Sequence, residues 1–404
     1  MNYTQREVMQ FVEEEDVKFI RLTFCDVFGK LKNISIMNGE LKRAFDIGIA
    51  IDASAIKGFG DESHSDLFLK PDPDTLAILP WRPDHGRVVR MYCNVTYPDG
   101  TPFEADTRKI LQDAVAYSDK KGYDFYFGPE IEFYLFKLDE YGDMTNTPYD
   151  SAGYMDVAPD DRGENIRREI CLTLEQMGVL PESSHHEEGP GQNEIDFRYA
   201  SPVDAADNAM TFVSVVGAVC KGNGIGVRFT PKPLKNAAGN GMHVNFSVKK
   251  KDGESVTKSA VAGILKHIVE MTAFLNPLDQ SYERLGHNKA PSYVSWSHQN
   301  RSQLVRIPAA QGEFARAELR SPDASANPYL AFALIIYAAL DGIEKGYKLP
   351  RKADVNFYTA SEKERAKYRK LPSTLQEACR KAKDSAFIRK TLPRAIRSAY
   401  LDRD

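Results

Sequence analysis

Residues 316–342 read RAELRSPDASANPYLAFALIIYAALDG, and the first five of them place a charge at every second position. On a strand, successive side chains point to opposite faces, so Arg316, Glu318 and Arg320 share one side while Ala317 and Leu319 share the other. Such alternation ordinarily marks a strand with one solvated face. It means more when it recurs with residue types suited to chemistry, and three other segments repeat it. Downstream, Pro328 opens a long apolar run at the first turn of a helix, where a missing N–H costs nothing.

In YFGPEIEFYLF (126–136), Glu130 and Glu132 share a face, roughly 7 Å apart along the strand, and Ile131, Phe133 and Leu135 take the other. Two carboxylates side by side in so aromatic a strand repel, and one protonates unless a cation holds them, which a divalent metal does economically. In SSHHEEGPGQNEIDFRYA (183–200), Glu187 precedes a Gly-Pro-Gly turn, and Glu194, Asp196 and Arg198 share a strand face after it. Closing that turn brings Glu187 and Glu194 together as hard oxygen ligands of the kind Mg²⁺ or Mn²⁺ prefers. In GNGMHVNFSV (239–248), His243, Asn245 and Ser247 face one way, and with Glu130 and Glu318 as neighbours His243 becomes an imidazole ligand. Arg284, Arg301 and Arg306 supply further guanidinium groups for phosphate or carboxylate. The set describes a metal-dependent phosphoryl-transfer enzyme. No GxxxxGK[ST] occurs, nor GxGxxG after a strand, so nucleotide binding needs another architecture.

A chain of 404 residues holds roughly two to three domains. Its net charge of -4, with acids and bases interspersed, predicts no nucleic-acid or membrane partner and makes small molecules the expected substrates. The charged start MNYTQREVMQFVEEEDVKF lacks an apolar signal core, and none of the five cysteines sits in a CxxC pair, which together predict a cytoplasmic protein. Residues 17–36 read as a hairpin about a Gly-containing turn, and the Pro98-Asp99-Gly100 turn divides a domain over 1–100 from one over 101–404. Helical patterns cover 107–122, 164–179, 203–224, 258–276 and 327–347.

GPEIEFYLF, SSHHEEGPGQNEIDFRY, KPLKNAAGNGMHVNFS, NRSQLVRIP and RAELRSPDASANPYLAFA, in that order, resemble the bacterial type I glutamine synthetase family over nearly the whole chain. The resemblance implies an α+β fold: an N-terminal β-grasp domain and a C-terminal catalytic domain with a curved antiparallel sheet flanked by helices. It implies a homo-oligomer, a dodecamer of two hexameric rings with active sites between subunits. Two or three Mg²⁺ or Mn²⁺ ions would bind per site, one at Glu132, Glu187 and Glu194 and another at Glu130, His243 and Glu318. Glutamate would meet Gly239, Arg284, Arg301 and Arg320, and ATP, the co-substrate, would meet Glu182, Tyr199, Asn245, Ser247, Arg306 and Arg316. Asp52, Tyr154 and Glu187 would form the ammonium site, and Asp52, Glu187, Arg301 and Arg320 fall at catalytic positions. The implied reaction phosphorylates the γ-carboxylate of glutamate, and ammonia then displaces phosphate to give glutamine.

The chain departs from that family in places. Lys289, in RLGHNKAP, stands where a loop glutamate is expected, and Ala55 replaces a serine beside Asp52. Lys289 either points outward, holds the acyl phosphate, or marks a γ-glutamyl ligase for an organic amine (a polyamine or monoamine) in place of ammonia. A non-catalytic relative is a further alternative, against which the complete ligand set stands. Asn245 replaces a second histidine and Ala238 an asparagine. Asp61 occupies the place of a feedback arginine, and Tyr358 that of an adenylylated tyrosine without its flanking sequence, so neither regulatory device is expected.

Overall fold

The structure, a computed structural model, describes residues 3–309 and 315–402. It opens with helix α1 (Gln5–Glu14), whose first turn is closed by a reciprocal capping box between Thr4 and Glu7. Strands β1 (Val17–Cys25) and β2 (Leu31–Met37) form the expected hairpin, Cys25 opposite Leu31. The Asp26 carboxylate accepts the N–H groups of Phe28 and Lys30, each at 2.9 Å, which closes the turn. Helix α2 (Leu41–Asp46) follows, then β3 (Ile49–Asp52), β4 (Asp66–Pro71), the short β5 (Ala77–Ile78) and β6 (Arg87–Thr96). Their order is β2-β1-β6-β4-β3, with β5 also on β6, and β1 runs parallel to β6, as a β-grasp domain requires.

The second unit is built on a 9-stranded sheet among the described residues. Its strands are β7 (Tyr123–Leu138), β8 (Met144–Pro148), β9 (Pro181–His186), β10 (Gln192–Phe197), β11 (Ile225–Arg228), β12 (Met242–Lys250), β13 (Trp296–His298), β14 (Val305–Ile307) and β15 (Ala317–Leu319). The order β13-β14-β15-β12-β7-β10-β9 puts the long β7 in the middle, with β8 and β11 also paired to it. All pairings are antiparallel except β13 with β14. Helices α3 (Thr107–Lys120), α4 (Glu164–Gln176), α5 (Pro202–Gly222), α6 (Thr257–Leu275), α7 (Asp279–Arg284) and α8 (Pro328–Glu344) flank it, and Pro328 sits in the first turn of α8.

One face of this sheet is apolar. Phe127 of β7 stacks on Phe332 of α8 at 4.6 Å, and Phe133 meets Phe212 of α5 edge-on at 5.9 Å. α6 and α8 cross in close contact, where a Cβ on Gly263 would come within 2.1 Å of the Ala338 carbonyl oxygen. α5, at 21 residues, is apolar and long enough to cross a bilayer, yet 61% of its most apolar window is buried in the fold.

The two units are joined by a buried polar network. Arg108 of α3 donates to Asp207 of α5 at 2.9 and 3.1 Å, to Asp72 at 2.9 Å and to Asn94 of β6 at 3.1 Å. The Tyr329 hydroxyl donates to Asp207 at 2.7 Å.

Candidate active site

The other face of the large sheet is polar, and strand register decides which groups meet. Glu194 of β10 lies directly opposite Glu132 of β7, and Asp196 opposite Glu130. On the other flank of β7, His243 of β12 is opposite Glu130, while Asn245 pairs with Glu318 of β15 and Arg306 of β14 with the same Glu318. The polar sides of these alternations line two adjoining cavities, except Glu318, which lines neither and is paired with Arg306 and Arg320. The solvated face that alternation ordinarily signals is absent: the Glu318 and Arg320 side chains are only 2% and 3% exposed.

A cavity of about 280 Å³ is lined by Glu130, Glu132, Glu187, Glu194 and His243, by Gly239, Arg284, Arg301, Arg306, Arg316 and Arg320, and by Tyr154. An adjoining one of about 800 Å³ is lined by Glu182, Tyr199, Asn245 and Ser247 and shares Glu130, Asp196 and Arg316 with the first. Among the nucleotide residues expected from the sequence, Arg306 alone lines only the smaller cavity. Asp52 lines neither; it ends β3 and accepts the Ser54 N–H at 3.0 Å.

Several of the acids are crowded. Burial, then the charge of Glu132, pushes the Glu194 carboxyl well up; burial also raises Glu187, and burial with Glu130 brings Asp196 to about 6. Burial and then the charge of Arg320 lower His243 to about 3, so its imidazole is neutral near pH 7 and keeps a lone pair to donate. Its Nδ1 is 3.5 Å from Glu130 and 3.8 Å from Glu318.

Two groups of donor atoms are gathered tightly enough for one ion each, every atom within 4.8 Å of the others: Glu130, Glu194 and His243, and His185, Glu187 and Glu194. Carboxylates with a neutral imidazole suit Mg²⁺ or Mn²⁺, and the raised carboxyls show that a cation here would relieve repulsion, so the donor set fits such ions.

These groupings differ from those implied by resemblance. Glu318 is held by Arg306 at 2.7 Å and by Arg320, while Glu132 accepts the Gly241 N–H at 2.7 Å and Gln192 at 3.3 Å. His185, absent from the sequence reading, stands 3.3 Å from Glu194 because β9 pairs it opposite that residue. Its signal was present in SSHHEE, two positions before Glu187.

Around this tier, Arg316 donates to Asn245 at 2.8 Å, and Asn245 donates to Glu130 at 2.6 Å. Gly239 is required by space, since a Cβ there would meet the Pro231 carbonyl oxygen at 2.3 Å and Arg284 at 2.9 Å. Lys289 does not point away: half exposed, it lines the smaller cavity, pairs with Glu188 and lies 5.6 Å from the Tyr154 ring. The Tyr358 hydroxyl is buried, and burial pushes it up to about 12.

Comparison with known proteins agrees with this construction. Residues 16–98 match the glutamine synthetase β-grasp domain family and residues 104–403 the glutamine synthetase catalytic domain family. The chain is 43% identical to a glutamine synthetase of Clostridium saccharobutylicum over 415 residues, covering 99% of this chain and 94% of the relative. It is 44% identical to one of Methanosarcina mazei, covering 98% and 92%. Among solved structures, the complex of GmaS with ADP superposes with a TM-score of 0.89 at 26% identity, covering 100% of this chain and 94% of that one. The glutamine synthetase of Plasmodium falciparum, at 21% identity and a TM-score of 0.86 over 99% and 95%, shares the fold. With both domains matched in order and the acid and arginine tiers meeting in one cavity, the chain belongs to the glutamine synthetase family, ATP-dependent ligases that form an amide bond.

Proposed function

We propose that this chain is a glutamine synthetase of the bacterial type I group, joining ammonia to the γ-carboxylate of L-glutamate at the expense of ATP. The observation that carries this reading is the pair of adjoining cavities, one walled by acids and arginines, the other by the expected nucleotide contacts. Identities of 43% and 44% to glutamine synthetases over nearly the full chain support it.

Glu132, Glu187 and Glu194 would hold one divalent ion and Glu130, His243 and Glu318 another, with His185 beside the first. Bound there, such ions supply Lewis acidity toward phosphate oxygens. Glu182, Tyr199, Asn245, Ser247, Arg306 and Arg316 orient ATP. Gly239, Arg284, Arg301 and Arg320 orient glutamate, so that a γ-carboxylate oxygen attacks the terminal phosphorus and ADP departs. Ammonia then attacks the acyl carbon, phosphate leaves, and the released proton passes to Asp52 or Glu187. Arg301 and Arg320 offset the negative charge of both steps.

Asp52, on the β-grasp sheet and outside both cavities, would enter a site from a neighbouring subunit in this reading. That supports a homo-oligomer with shared sites, a dodecamer of two hexameric rings in this reading. The five cysteines, none of them in a disulfide, support a cytoplasmic setting.

Phosphate release with glutamate, ATP and Mg²⁺, comparing ammonium with a panel of amines and weighing the product, tests the proposal. Glutamine at low-millimolar ammonium is expected, and turnover with organic amines alone would transfer the reading to a γ-glutamyl ligase for amines. A specific observation favours that second reading: Lys289 and Glu188 form an ion pair beside Tyr154, where ammonium is expected. Lys289→Glu should lower the ammonium KM if the pair merely obstructs the cation, and should abolish amine turnover if the pair recognises amines.

A further inference from the structure

His186, Asp150 and Asp161 form a second buried group of acids with an imidazole, whose ligating atoms also lie within 4.8 Å of one another. Its acceptors are already taken. The Asp150 carboxylate accepts the N–H groups of Ala152 at 3.3 Å, Gly191 at 2.9 Å and Arg162 at 3.1 Å, and its Oδ1 lies 2.9 Å from His186 Nε2. Asp161 is paired with Arg167. His186 Nδ1 is 2.7 Å from the carbonyl oxygen of Glu187, which only accepts, so Nδ1 donates and orients the ring toward Asp150. The group is a knot between chain segments.

Each tied segment carries a group into the smaller cavity. The stretch 150–162 carries Tyr154, the end of β9 carries His185 and leads to Glu187, and the turn at 189–191 leads into Gln192 and Glu194. Met155 donates its N–H to the His186 carbonyl at 3.0 Å, and Glu187 donates its own to Gln192 at 2.8 Å. The Glu187 backbone is thus held at its N–H by β10 and at its carbonyl by His186. Tyr154 in turn rests edge-on against the His185 ring at 5.4 Å.

We infer that Asp150 and His186 are positioning residues that fix the distance between Tyr154 and Glu187, and so set the shape of the pocket that receives the acceptor amine. Neither side chain lines the cavity, so each acts through residues that do. A fully buried imidazole and carboxylate with fixed partners define one geometry better than they add stability, which suits a pocket that must favour a small amine over water. The inference deepens the ligase reading and rests on it.

The test uses the full-length protein with glutamate, ATP and Mg²⁺, comparing wild type with Asp150→Asn and His186→Asn. Three quantities are read: KM for the accepted amine, KM for ATP, and amide formed per phosphate released. We expect the amine KM to rise ten-fold or more and the amide-to-phosphate ratio to fall below one half, as water intercepts an intermediate that waits. KM for ATP should stay within two-fold, because Glu182, Tyr199 and Ser247 lie in the other cavity. An unchanged amine KM and ratio, or an ATP KM that rises in step, overturns the inference. If Asp150→Asn fails to fold, His186→Asn decides alone, since it leaves Asp150 its three backbone donors. Wild-type protein that forms no amide with any acceptor overturns the ligase reading and this inference with it, whereas active wild type with unaffected variants overturns the positioning alone.

Discussion

Two buried polar networks in this protein have opposite characters. At the seam between the domains, Arg108 meets Asp207, Asp72 and Asn94, while Tyr329 closes the remaining side of Asp207. In the cavity of the large sheet, Glu130, Glu132, Glu187, Glu194 and Asp196 share a small space, and three of them have carboxyls pushed upward. A satisfied network holds a fold together, because each charge keeps the partner that offsets its desolvation. An unsatisfied one is tolerated mainly where a ligand offsets it, and the donor set here fits divalent cations. The contrast separates structure from function without recourse to relatives.

The largest effect expected to sharpen that contrast is on turnover. Glu132→Ala should cut phosphate release on the order of a thousand-fold, the several kcal/mol that a bound divalent ion supplies. Near-normal turnover would break the assignment of the acid tier.

Asp207→Asn should do the reverse. Leaving Arg108 buried with a weakened partner costs about 3–5 kcal/mol of stability, readable by denaturant unfolding, while molecules that remain folded keep their turnover. Equal losses of stability in Asp207→Asn and Glu194→Gln would erase the distinction between the two networks.

Addition of Mg²⁺ or Mn²⁺ at a hundred times its dissociation constant should stabilise the protein by about 2.7 kcal/mol, and Glu194→Gln should remove most of that gain. The gain should depend on pH in a definite direction. The carboxyls of Glu194, Glu187 and Asp196 are raised in the folded chain, Asp196 to about 6, so between the ordinary carboxylate range and about 6 the folded state binds more protons than the unfolded one. These groups therefore withdraw stability as pH rises through that window when no cation is present. The difference between melts in Mg²⁺ and in chelator should widen from pH 5 to pH 7.5; a constant difference would mean that the acids do not hold the ion. The smallest effect is that of Tyr329→Phe, about 1.5 kcal/mol for one hydrogen bond to a charged acceptor with Arg108 still in place.

Much of this is legible in the sequence. Glu130 with Glu132, Glu194 with Asp196, His243 with Asn245, and Arg316 with Glu318 and Arg320 are each local statements, since side chains two apart on a strand share a face whatever the strand pairs with. The hairpin at residues 17–36 and the five long helices were legible for the same reason, each carrying its own period or turn residue. His185 went unread although it occupies a comparable place, because its value comes from facing Glu194 across β9 and β10. Gln192, which ties Glu132 to the Gly239 carbonyl at 3.3 and 3.2 Å, was hidden likewise. Nothing near Lys289 in sequence announces its pairing with Glu188, a hundred positions away.

The sequence by itself determined which face of each strand is polar, where the chain turns, and which chemistry the residue types suit, because those properties depend on neighbours within a few positions. Tertiary structure alone decided that the polar faces meet, that Glu318 is gripped by two arginines while Glu194 is crowded by acids, and that Asp150 and His186 tie three segments behind the cavity. Register across β9, β10, β7, β12 and β15 sets those pairings, and register is fixed by burying the opposite, apolar face against α5 and α8, since a slip of one residue would turn every acid into the core.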